Sequence, residues 1–188
     1  MRDGIVAQGD TLTVTGTTTQ NGGTIGDAND AITLTGKLTQ NGGTVAADTL
    51  AANNGADISG TVTAATSLTA AGKDVEVKSG GTLTAPTITA ANLKTAGAVT
   101  STVKINGNVE QTAGTLNAKD VEGTTFKQTG GAATLTGTLT ANVMISIADG
   151  ATVTLDGATI NGENSSSYRW AGITCQGDAT IILTGENT

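Results

Sequence analysis

One phrase occurs twice in the first quarter of the chain and limits what the chain can fold into. Thr13-Val14-Thr15-Gly16-Thr17-Thr18-Thr19-Gln20-Asn21-Gly22-Gly23-Thr24-Ile25 returns as Thr33-Leu34-Thr35-Gly36-Lys37-Leu38-Thr39-Gln40-Asn41-Gly42-Gly43-Thr44-Val45, a period of 20 residues. A fixed repeat of this length marks units that cannot bury an apolar face alone and therefore stack on their neighbours. Each unit is an alternating Thr/aliphatic run, a glycine corner, a second short run and an Asn-Gly-Gly corner. Side chains alternate along a strand, so Leu12, Val14, Ile32 and Leu34 share one face. Thr11, Thr13, Thr15, Thr33 and Thr35 are expected on the other, where β-branched side chains suit a pleated surface. This is one coil of a β-solenoid, aliphatic inside and threonine outside.

The phrase then weakens without vanishing. Asp57-Ile58-Ser59-Gly60-Thr61-Val62-Thr63 repeats the strand–corner–strand element, and residues 104–116, 128–132 and 134–140 echo it. Gly16, Gly36 and Gly60 fit corners that need a left-handed backbone or a close passage of turns. Pro86, the single proline, cannot donate in a ladder and is placed at a corner. The expectation is an all-β parallel β-solenoid of about eight coils of ~20–24 residues. At about 4.8 Å per strand, the rod would be on the order of 40 Å long. Residues 1–188 form one unit without a linker: a lead-in at 1–10, Thr/Gly-rich coils over 11–147, and coils of changed type over 148–188. The polar stretch 163–170 is expected to leave the rod as a loop.

Composition supports the narrow interior. Hydrophobic residues are 37% of the chain but aromatics only 2%, whereas a layered sandwich usually anchors its core on bulky rings. Regular alternation and a charged fraction of only 13% also argue against disorder. The net charge of −7, with lysines and arginines scattered singly, excludes a nucleic-acid backbone as the natural partner. No apolar run reaches membrane-spanning length, so no membrane insertion is expected. No secretory apolar segment precedes Ile5-Val6, which suggests a mature or excised section. Cys175 stands alone, excludes an internal disulfide, and is expected to face the core.

Gln40-Asn41-Gly42-Gly43-Thr44 and Gln111-Thr112-Ala113-Gly114-Thr115-Leu116-Asn117-Ala118 resemble repeats of the filamentous-haemagglutinin and autotransporter-passenger β-helices. Residues 148–188 resemble the β-helical repeats of large secreted or surface proteins of gut bacteria. The resemblance implies a right-handed parallel β-helix outside the cell or on its surface, commonly a stalk or adhesive fibre. Host or matrix glycans or proteins would be its partners.

Five candidate sites follow from the residues. A polysaccharide lyase would need clustered acids on one sheet face. The aspartates instead sit mostly beside Gly, Asn or Ala at presumed corners, where they bond local backbone. The chain contains no histidine. No catalytic residue and no cofactor is assigned, and the chain is read as non-enzymatic. Asp27 and Asp30 place oxygens close enough for calcium, but they lack a calcium-loop pattern and read first as an Asx turn. Threonine ladders could present a lattice to ice, which requires the same pair on every coil. The pairs Thr13/Thr15, Thr33/Thr35, Thr61/Thr63, Thr82/Thr84 and Thr152/Thr154 fall unevenly in sequence, which favours ordinary solvated strand faces. Tyr168, Arg169 and Trp170 could bind a sugar or a protein from the 163–170 loop; alternatively the loop covers a coil end. Finally, neither end shows a capping helix. Uncapped coils would let copies stack end to end, unless flanking sequence supplies the caps.

Overall fold

The structure, a computed structural model, describes residues 10–140, 143–161 and 172–188. Within them lie twenty-one strands and no helix, and the paired strands all run parallel. The chain winds through three faces per coil. The first face begins with Thr11–Val14, which lies in register on Ala31–Leu34. Ala31 then pairs with Thr49, Thr49 with Ser67, Ser67 with Thr87, and Thr87 with Lys104. The second face begins with Thr18–Gln20 on Leu38–Gln40 and continues through Ala56–Ile58 and Val75–Val77. The third begins with Thr24–Ile25 and continues through 44–47, 61–64 and Thr82–Thr84. Each face stacks nine strands, ending at Thr159–Ile160, Ile173–Cys175 and Thr180–Thr184. Eight steps of about 4.8 Å give a rod of roughly 40 Å.

Coil length is where the sequence pattern loosened. Coil-to-coil hydrogen bonds span 20 residues at the duplicated phrase, as from Asn41 to Asn21. Further on they span 18 (Thr66 to Asp48), 17 (Asn106 to Thr89) and 16 (Asn108 to Asn92). The last coil is longer: Asp178 bonds Asp149 across 29 residues. The added residues lie between Thr159–Ile160 and Ile173–Cys175.

The interior is one stack of aliphatic side chains. Leu34, Ala52, Ala70 and Ala90 fill the first face; Leu38, Ala56, Val75, Leu93 and Val109 the second; Val45, Val62, Leu83, Val99 and Leu116 the third. Phe126 is the one aromatic among the buried hydrophobics, fully enclosed between Val109 and Ile145. Pro86 sits at a corner as expected, and its carbonyl accepts from Val103 N, Lys104 N and Ser101 Oγ. Thr15 and Thr35 correct the expected ladder. Both lie past the ends of their strands, and Thr35 Oγ1 instead accepts from Gly16 N at 3.0 Å. The first-face outward pairs are therefore Thr11/Thr13 and Ala31/Thr33.

The corner between the second and third faces explains the glutamines of the repeated phrase. Gln20, Gln40, Gln111 and Gln128 point inward and are buried. Gln111 Nε2 donates to the carbonyls of Ala113, Gly114 and Ala132 at 3.1–3.2 Å. Gln40 Nε2 serves Gly43 and Thr61 in the same way, and also Gln20 Oε1 at 3.0 Å. Thr95 takes this place in an intervening coil, donating to Gly97 O. The corner glycines of successive coils stack directly. A methyl on Gly131 would meet Gly114 O, and one on Gly60 would meet Gly43 O, each at 2.5 Å.

Gln111→Leu should lower stability by about 1–2 kcal/mol, read as a shift of the urea midpoint at unchanged m-value. The corner carbonyls lose a buried donor. The cost stays moderate because Gln111 Oε1 is itself buried without a partner.

Candidate functional site

The winding brings side chains far apart in sequence into continuous outward rows. On the second face one row runs Thr39, Asp57, Glu76, Lys94, Glu110, Lys127, each in register with the next. Lys37 Nζ lies 2.8 Å from Asp57 Oδ1, and Lys78 Nζ lies 3.8 Å from its Oδ2. Lys127 Nζ lies 3.0 Å from Glu110 Oε1. Asp57, Lys73, Asp74, Glu76 and Lys94 line a shallow groove of about 370 Å³ together with Lys37 and Asn54. Beside it, Asn92 Nδ2 donates to Asp74 Oδ1 and Asn108 Nδ2 to Asn92 Oδ1, making a corner ladder. The arrangement can hold a polar or charged ligand. Its own ion pairs are solvent-exposed, each contributing about 0–1 kcal/mol and weakened by salt.

The aspartates divide more finely than the sequence suggested. Asp57 and Asp120 lie in strands rather than at corners. Asp57 joins the charged row, and Asp120 Oδ1 accepts from Thr138 N at 2.8 Å. Asp149 does act at a corner, accepting from Asp178 N. Asp27 and Asp30 are backbone caps: Asp27 Oδ1 accepts from Asn29 N at 2.8 Å. Asp30, fully buried, accepts from Asp10 N through one oxygen and Asp27 N through the other. Among the described residues no group of three or more Cys, Asp or Glu side chains converges as a metal site would.

The third face is different in kind. Its first outward row contains Thr24, Thr44, Thr61 and Thr82, then Thr115, Thr152 and Thr180, with Ala98 and Ala132 between them. The second row contains Thr63, Thr84, Thr100, Thr134 and Thr154, with Ala46, Asn117 and Ile182. Neither row carries a charge. Pairing across this face is one residue to one; the register shifts fall at the next corner, after Ala47 and after Ser101.

Cys175 takes the core-facing register beside Ile147; it is exposed because no further described coil covers it. Tyr168, Arg169 and Trp170, and the loop expected at 163–170, lie outside the described residues. Comparison with protein-family models, curated proteins and solved structures found no match.

Proposed function

We propose that the chain is a non-enzymatic structural rod, working outside the cell or on its surface as a segment of an adhesin, stalk or self-assembling fibre. The uninterrupted interior supports this reading: each coil packs only against the coils above and below it, which yields length and stiffness rather than an enclosed pocket. The ion pairs Lys37–Asp57, Lys78–Asp57, Lys104–Glu122 and Lys127–Glu110 lie along the sides of the rod. The last described coil presents its inward side chains Ile181 and Leu183, 37% and 65% exposed. A coil stacked on it, from a second copy or from further chain, would bury both and extend all three sheets. Host or matrix glycans or proteins would meet the sides.

Sedimentation velocity and electron microscopy of the purified chain test the proposal. Rods in multiples of roughly 40 Å, growing with concentration, are the expected result. Strictly monomeric material over a wide concentration range would overturn end-to-end stacking, and a compact sedimenting shape would overturn the rod itself.

A further inference from the structure

We propose that the third face binds ice. Its outward positions form two parallel rows that run the length of the rod. The rows repeat about every 4.8 Å along the axis and stand about 7 Å apart along each strand. Thr61/Thr63, Thr82/Thr84 and Thr152/Thr154 fill both rows, and the intervening coils keep at least one threonine. The exceptions are mainly small or methyl-bearing side chains. This two-dimensional repeat is close to that of the oxygen rows in hexagonal ice.

Three observations separate this face from an ordinary solvated sheet. No charged side chain lies in either row, although Lys119 and Asp156 flank them at the edge of the face. On the second face, by contrast, Asp57, Glu76, Lys94, Glu110 and Lys127 form the row itself. The first face turns charged at Lys104, Asp120 and Glu122. Charges organise hydration shells of their own, which conflict with a crystalline water layer. Next, among the described residues, the hydroxyls of both rows make no hydrogen bond to protein; they remain free for water. By contrast, Thr66, Thr95, Thr112, Thr124 and Thr129 spend theirs on coil corners. Last, the unbulged register keeps each hydroxyl and methyl in a fixed place. Hydroxyls can then anchor water oxygens while the methyls exclude disordered water between them. A protein or glycan partner would need distinct side chains to read, and this face offers the same one again and again.

The test uses the purified chain in dilute buffer, observed on single ice crystals while cooling. Faceted crystals and a gap between melting and growth temperatures are expected. Thr84→Lys and, separately, Thr154→Lys should abolish both effects, and Thr39→Lys on the second face should leave them intact, with circular dichroism confirming the fold of each. Round crystals without a gap for the native chain would overturn the proposal. So would full activity in both third-face variants, or a lateral dimer that buries this face without any effect on ice.

Discussion

Gly114→Ala is expected to destabilise the rod by more than about 3 kcal/mol, among the largest effects of any single methyl in the chain. Two costs combine there. Gly114 has φ +68, a conformation L side chains rarely adopt. Its added carbon would also press on the backbone of the coil beneath, 2.7 Å from Gly97 C and 2.8 Å from Ala96 O. Neither contact can rotate away, because both atoms belong to a hydrogen-bonded strand corner. Gly72→Ala separates the two costs. Its φ is +70, but a methyl there meets nothing within 4 Å, so only about 1–2 kcal/mol of backbone strain is expected. Chemical denaturation of both variants measures the difference. Equal midpoints would show that the stacked glycine corners are not in close contact.

Phe126→Ala should cost about 3–5 kcal/mol, and Phe126→Leu less than about 1.5 kcal/mol. The ring is completely enclosed, with Val109 below and Ile145 above in register. Each coil adds one layer to the interior and is held to the next by its ladder bonds, so neighbouring coils cannot collapse into the space without breaking those bonds. Urea midpoints decide the matter. A loss under 1 kcal/mol for the alanine variant would mean that the shared interior carries little of the stability.

The sequence was most informative where the coil length was constant. Between residues 11 and 47 the spacing of 20 aligns Leu12 on Ile32 and Gln20 on Gln40, so the solenoid, its inward column and its glycine corners were legible. Beyond that, coils of 16 to 29 residues move equivalent positions out of any fixed period. Thr63, Thr84 and Thr100 are neighbours on one face, but their uneven spacing in sequence made them look scattered. The charged row was hidden for the same reason. Asp57 opens a strand–corner–strand phrase in the sequence, but nothing in the local sequence joins it to Glu76 or Lys94. The inward role of the glutamines could have been inferred, since Gln precedes a Gly-containing corner in Gln20, Gln40, Gln111 and Gln128. The signal was masked because a polar side chain at a corner reads as solvent-facing. The inward register of Cys175 was legible from the alternation Ile173-Thr174-Cys175.

In this winding, the backbone hydrogen bonds between coils lie along the long axis of the molecule. Tension applied to the two termini would therefore not shear whole sheets at once. It would peel the outermost turn, and each release would lengthen the tether by one coil. A turn of 17 residues, the step from Thr89 to Asn106, extends to roughly 60 Å at full stretch. The molecule would yield as a ratchet of unequal increments, 16 to 29 residues each, dissipating load one turn at a time while the remaining turns stay wound.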